Sequence, residues 1–431
     1  MLELLGIAVL LVFIGLSIAL HEIGHMVPAK KFGVRVTDYA IGFGPTLFKR
    51  QRGETLYHIK LIPLGGFIRM IGMYPPAARP STGRFAALIN QAREVNASEI
   101  SPGDERRTFY GLPVGKRLII MTGGPLMNLG LAAVLFAIVF SVIGVAQASN
   151  AIGQIIACVP TANDPRGEGT IAGCVDGVET PAVRAGLSVG DTIVSINGVA
   201  TKTYSEVSSQ LQQHNIGDVV EITVQRGEQK RTVSVTLADA IFEEYDETGS
   251  PLGTYRHRPL VGFIPGTVLQ PLAVSEVPGL MWEMSVNAGQ SILAFPQKLW
   301  TLGYDLISGG QRDPNGPISV VGISRLSGQV VASDLAVPLK IQEVLGMAAS
   351  LNLFLFLFNL LPLLPLDGGH VAAALFDGAK RGFARLRKLP TPAPVDVAKA
   401  LPLTYVVAAL LLLSGVLVII ADLVAPITYT Y

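Results

Sequence analysis

The sequence predicts a polytopic α-helical membrane protein: four transmembrane helices, a strand-rich loop after the first, and one soluble α+β domain after the second. Three observations carry this. Half of the 431 residues are hydrophobic and only 15% are charged, with a mean hydropathy of +0.47. That is more apolar residue than one soluble core needs. Four separate segments approach the ~20 apolar residues that cross a hydrocarbon layer. Ordinary soluble texture, with mixed charge and turn-bounded alternating strands, is confined to the middle of the chain.

The first span covers 1–29. It opens Met-Leu-Glu without a basic leader, and no Ala-x-Ala cleavage pattern ends its apolar run. It therefore reads as a retained span, not a removed signal. Residues 30–116 follow as a polar loop. Within it, Val34–Ile41, Glu54–Ile62 and Gly65–Ile71 are β-rich and separated by Gly/Pro turns. Residues 74–108 are rich in Pro, Ala, Arg and Ser and read as flexible or short-helical. The second span is 117–147. Residues 150–266 form the soluble domain. There Pro181–Gly198 packs a short helix, a turn and an alternating strand ending in Asn-Gly. Thr203–His214 reads as a helix, and Val219–Gln225 and Thr232–Leu237 as paired strands. Residues 267–342 form an amphipathic linker containing both tryptophans, suited to a membrane surface or to packing on the soluble domain. The third span, 343–378, is broken by Pro362 and Pro365. A loop at 379–401 leads to the fourth span, 402–425.

Basic residues orient these spans. Lys30, Lys31, Arg35, Lys49, Arg50, Arg52, Lys116 and Arg117 lie between spans one and two. Lys380, Arg381, Arg385, Arg387 and Lys388 lie between spans three and four. Both loops are expected in the cytoplasm, with both termini and the soluble domain outside. The formal net charge of +1 gives no argument for a nucleic-acid partner. The two cysteines, Cys158 and Cys174, form no Cys-x-x-Cys pair, which excludes a thiolate zinc ribbon.

The chemical signal is His21-Glu22-Ile23-Gly24-His25. Residues i and i+4 share a helix face, so His21 and His25 can hold one metal ion with Glu22 beside it as a general base. Zinc lowers the pKa of a bound water to about 7. The motif lies about nine residues, roughly 13 Å along a helix, from the Lys30-Lys31 flank. It is therefore inside an apolar span, where a central acidic side chain costs on the order of 3 kcal/mol. A polar knot joining the spans is the structural alternative. Catalytic zinc usually takes three protein ligands. Asp367, in Asn359-Leu-Leu-Pro-Leu-Leu-Pro-Leu-Asp-Gly-Gly-His370, is the clearest third donor; His370 is its rival, and spacing leaves both. Asn352 and Asn359 project from one face of span three, either toward a substrate backbone or as glue between helices.

These motifs together resemble the site-2 protease family of intramembrane zinc metalloproteases. The resemblance rests on His-Glu-x-Gly-His in a first span and Leu-Pro-x-x-Pro-Leu-Asp-Gly-Gly-His in a later one. Gly42-Phe-Gly-Pro, Pro63-Leu-Gly-Gly-Phe, Gly124-Pro-Leu-Met-Asn128 and Gly316-Pro-Ile-Ser319 extend it over nearly the whole chain. It is nearest the regulator-of-sigma-E protease branch, and within that the actinobacterial members. It implies Zn2+ held by His21, His25 and Asp367, with Glu22 catalytic, Asn359 helping to hold substrate, and His370 no ligand. It implies that the strands of 33–73 are membrane re-entrant β-hairpins that clamp substrate as an added strand. It implies that the middle region is one extracytoplasmic PDZ-like domain, where well-known branch members carry two. An insertion at Cys158–Cys174 is a further departure, and outside the cell that pair is expected to form a disulfide.

The resulting expectation is a multi-pass protein of the bacterial plasma membrane with its active site toward the cytoplasm. It cleaves a single-pass membrane protein, an anti-sigma factor or signal-peptide remnant, after prior trimming outside. Its other contact is membrane lipid. Two other classes compete: a catalytically silent adaptor binding peptides through the PDZ-like domain, and a zinc transporter. The intact His21, Glu22, His25 and Asp367 set weighs against the first. The presence of only six histidines weighs against the second.

Overall fold

The computed structural model describes residues 2–76, 80–160, 174, 178–245, 251–310, 312–390 and 392–427. The chain divides into two compact units, Met1–Ile143 with Leu272–Tyr431, and Gly144–Pro271. In chain order the first unit opens with α1 (Leu2–Lys31), β1 (Val36–Arg52), β2 (Thr55–Met70), α2 (Ala86–Ser98) and α3 (Val114–Ala137), which ends in a π turn at Ile138–Ile143. The second unit holds β3 (Val145–Ile155), α4 (Pro181–Arg184), β4 (Thr192–Ile196), β5 (Val199–Ala200) and α5 (Tyr204–Leu211). It continues with β6 (Val219–Arg226), β7 (Gln229–Thr236), β8 (Ala238–Tyr245), β9 (Pro251–Leu260) and β10 (Phe263–Gln270). The first unit resumes with α6 (Val277–Ser308), α7 (Val320–Ala332), α8 (Val337–Asn359), α9 (Asp367–Leu386) and α10 (Leu401–Val424).

Among the described residues, four helices are long and apolar enough to cross a membrane: Leu2–Lys31, Val114–Ile143, Val337–Asn359 and Val397–Val424. Three of them meet in an apolar core of Leu10 and Ile14 from α1, Leu135 and Phe136 from α3, and Ala348 and Leu353 from α8. Buried Asn352 donates to Ser17 Oγ (2.9 Å) and to Ala348 O (2.8 Å), so it joins α8 to α1. The expected third span is two helices. α8 stops at Asn359, and α9 starts at Asp367 and runs to Leu386, through the first part of the expected loop. Pro362 and Pro365 cannot donate backbone hydrogen bonds, which keeps the chain between Asn359 and Asp367 out of helix. α9 carries Asp377, Lys380 and Arg381 and is amphipathic.

The first loop forms one small sheet from β1 and β2. Segment 36–41 pairs with 66–70 on one side and with 56–59 on the other, while 46–52 pairs with 55–60. The spatial order is therefore 66–70, 36–41, 55–62, 46–52, and 66–70 is an edge. The expected strands are present, with 46–52 as an unexpected fourth. Its Lys49-Arg50-Gln51-Arg52 run reads as loop, and pairing with 55–60 makes it a strand. Tyr39 donates from its hydroxyl to Ala19 O (2.8 Å) and fastens the sheet to α1.

The second unit is a sheet in the order β10-β3-β4-β6-β7, with β5 beside β4 and a separate β8-β9 hairpin. Ile152, Ile193, Ile196, Val207, Val220 and Ile222 fill its core. Asn197 and Gly198, both at positive φ, make the tight turn that the Asn-Gly signal predicts. Thr203 and Glu206 close a capping box on α5. Cys158 and Cys174 are joined by a disulfide; the residues between them from 161 to 173 lie outside the described set. The β8-β9 hairpin has no counterpart in the sequence reading. The 267–342 linker is mostly two helices, α6 and α7. α6 packs Val277, Met281 and Met284 against α3 and α8, and Leu299, Leu302 and Leu306 against α10. It exposes Trp282, Val286, Leu293, Trp300, Tyr304 and Ile307.

Candidate metal centre

His21 and His25 stand one turn apart on α1, and Asp367 is the first residue of α9. The fold brings these three donors together. His21 Nε2 lies 3.2 Å from His25 Nε2, and each lies 3.2 Å from Asp367 Oδ2. Among the described residues they form the one group of three or more donors able to hold a metal. Bonds of 2.0–2.1 Å in a tetrahedron give ligand–ligand edges of about 3.3–3.4 Å, so the triangle has the size that zinc requires. Asp367 Oδ2 is buried and has no hydrogen-bond donor, as expected of an oxygen reserved for a cation. His370, one turn further along α9, is not in the group and instead lines a neighbouring cavity.

The outer ring nitrogens settle how the imidazoles face. His25 Nδ1 is 2.7 Å from Ile120 O. A carbonyl only accepts, so Nδ1 carries the proton and Nε2 presents a lone pair inward. His21 Nδ1 is 3.3 Å from the side-chain amide of buried Asn128. Asn128 Oδ1 has no partner; turned the other way, the amide accepts from His21 Nδ1–H and frees its Nε2 too. Ile120 and Asn128 both belong to α3. In the sequence Asn128 stands in a motif with no task attached, and a backbone carbonyl leaves no sequence signal at all.

Glycines make this contact possible. A Cβ on Gly24 would stand 2.3 Å from Gly123 O, and one on Gly124 would stand 2.1 Å from His25 Nε2. The α1 and α3 backbones therefore touch where the imidazoles cross, and the glycine inside the histidine motif is needed for that approach. On the other side, a Cβ on Gly368 would stand 2.2 Å from Leu361 O, so the Asp-Gly-Gly turn folds tightly onto the break after α8.

Glu22 is buried, 8% exposed, and faces the small sheet. A Cβ on Gly66 would come within 3.0 Å of Glu22 Cγ. The edge segment 66–70 thus runs past the acidic side chain that neighbours the donors. Asn359 ends α8, partly buried. One further anchor sets α9: Asp377, fully buried, pairs with Arg117 of α3 and with Arg381 (3.1 Å). α3 therefore contacts both histidines and also the helix that carries Asp367.

Residues 9–401 match the family described as Peptidase family M50. The chain is 32% identical over 443 residues to the zinc metalloprotease Rip1 of Mycobacterium tuberculosis, covering 98% of both chains. It is 26% identical to the zinc metalloprotease RasP of Geobacillus kaustophilus, covering 84% of this chain and 86% of that one. Among solved structures, the PDZ domain of an SdrC-like protein from Listeria monocytogenes covers 25% of this chain and 87% of its own, at 19% identity and a TM-score of 0.14.

Proposed function

The chain belongs to Peptidase family M50, the site-2 proteases, and is a multi-pass membrane zinc metalloendopeptidase; from that premise we propose which residues do the work and on what. His21, His25 and Asp367 hold the zinc, and Glu22 is the general base. Bound zinc supplies Lewis acidity toward a scissile carbonyl and a water that deprotonates near neutral pH. Glu22 takes the proton of the attacking water and delivers it to the departing amine. Ile120 O and Asn128 hold the imidazoles in the tautomer that leaves both Nε2 atoms free. The low exposure of the whole set keeps bulk water away from it.

The substrate is a single-pass membrane protein, an anti-sigma factor or signal-peptide remnant already shortened outside the cell. A transmembrane helix hides its amides in its own hydrogen bonds and must unwind to be cut. The free edge at 66–70, passing Glu22, offers replacement hydrogen bonds to an unwound segment. The sheet re-enters the membrane, with Leu47, Phe48, Ile59 and Leu61 exposed. Asn359, at the end of α8, steadies the same segment. The Gly144–Pro271 unit is PDZ-like and screens substrates outside, with both termini outside and the catalytic set toward the cytoplasm of a bacterial plasma membrane. Lipid covers the four apolar helices.

The observation that carries this reading is the three-donor triangle with Glu22 between it and a free sheet edge. The test is substrate trapping. Glu22→Gln should keep its zinc, lose cleavage by about 10²–10⁴-fold, and retain single-pass membrane proteins identifiable by mass spectrometry. Recovery of none, with cellular function intact, would favour the adaptor.

A further inference from the structure

A cavity of about 510 Å³ lies alongside the 66–70 edge, within the size range of pockets that enclose ligands, ~300–1,000 Å³. The strand contributes Ile68, Arg69 and Met70 to its lining, and α2 contributes Leu88, Ala92 and Val95 beside the polar Gln91. His370, one turn from Asp367, lies at the side. The cavity therefore shares two elements with the catalytic set, the strand that passes Glu22 and the helix that begins at Asp367.

The α2 side of the lining is tied in place. Asn96 of α2 accepts from Met73 N (2.9 Å) and donates to Tyr74 O (3.1 Å), which locks α2 to the chain leaving the edge strand. Arg93 of α2 pairs with Asp396, ahead of α10. Ile89 and Leu88 pack with Ala398 and Leu401. Arg69 of the strand reaches Glu99, just past α2, at 3.9 Å. None of these links involves the metal donors, and together they hold α2 beside the strand edge.

We propose that this cavity is a side-chain specificity pocket for the substrate segment next to the scissile bond, and that it selects large apolar residues at alternate positions. This rests on the peptidase reading and on strand addition at 66–70. Side chains of a strand alternate between faces, and Ile68 and Met70, two residues apart, share one face. An added strand places every second side chain beside them, against Leu88, Ala92 and Val95. The intervening side chains point toward the opposite face. The selectivity therefore has a period of two residues, which a pocket fitted to an intact helix would not produce.

The test uses the full-length zinc-loaded enzyme in proteoliposomes. A single-pass model substrate carries Ala, Leu or Phe at each position around the cut, with cut sites read by mass spectrometry. Preference for Leu and Phe over Ala should appear at positions two apart and be weak between them. Ala92→Phe, which fills the cavity, should lower the Phe-to-Ala ratio of kcat/KM at those positions by about tenfold or more. Val95→Trp fills the same space from a position already 55% exposed, so it tests the pocket without strain on α2 packing. A preference without alternation, or ratios unchanged in both variants, overturns the pocket and leaves the peptidase reading standing. Failure of the wild-type enzyme to cut any substrate overturns both.

Discussion

At the residue scale, the chemistry depends on side chains whose second atoms are fixed. On the proposed reading His21 and His25 are ligands only while Nδ1 keeps its proton, and Ile120 O and Asn128 are the groups that face those atoms. Asn128→Leu should weaken zinc binding by about 10–100-fold, measured by competition with a chelator. Asn128→Asp, which keeps an acceptor, should lie between that variant and wild type. An unchanged affinity in Asn128→Leu would show that the amide does not orient His21. The histidines, Glu22 and Asp367 were legible because charged and metal-binding residues are costly in an apolar span. His370 was equally legible as a donor, and only the direction of its side chain, set by the turn of α9, takes it out of the triangle. Asn128 has a quieter signal, since a buried Asn in a span also serves as interhelical glue, as Asn352 does.

At the element scale, α3 is the template on which the site is assembled. It touches α1 through Gly123 and Gly124, orients both imidazoles, and holds α9 through Arg117 and Asp377. Gly24→Val should push α1 off α3, since its Cβ alone would overlap Gly123 O. Zinc content should fall with it while the four spans still insert. Arg117→Met leaves Asp377 buried with only Arg381, a loss of about 3–5 kcal/mol for a broken buried pair. It should lower melting temperature and zinc affinity together. Adding Asp377→Leu removes the stranded charge and should recover most of both, because an apolar pair of similar size often replaces a buried ion pair at little cost. A double variant no better than Arg117→Met would refute the clamp. The edge strand at 66–70 was legible as a strand. Its edge position was not, because it depends on the chain doubling back twice so that 36–41 pairs on both sides.

At the scale of the whole molecule, two units with different solvents share one chain, and each has its own test. In the Gly144–Pro271 unit, Arg226 beside the buried Asp191 carboxylate, helped by the Ser188 amide, holds Asp191 below its usual range. A depressed carboxylate contributes stability that is complete above its unfolded value of about 3.9 and is lost as pH falls through the lower folded value. Limited pepsin digestion should therefore open this unit progressively below about pH 4, and Asp191→Asn should flatten that response while lowering stability at neutral pH. In the other unit the only two tryptophans of the chain, Trp282 and Trp300, lie on the exposed face of α6, at 73% and 80% exposure. Brominated lipid should quench both if that face rests on the bilayer; quenching of neither would place it in water. The sequence by itself determined the spans, the soluble unit and the histidine motif with Glu22. Each of these is set by local composition, periodicity or the cost of charge in an apolar layer. Only the tertiary structure decided that Asp367, not His370, closes the triangle. It also decided that Asn128 and Ile120 of α3 face the histidines, that the 66–70 edge passes Glu22, and that a cavity lies alongside that edge. Those are contacts between residues far apart in the chain, fixed by close approach at glycines and by buried polar pairs, and no local signal encodes them.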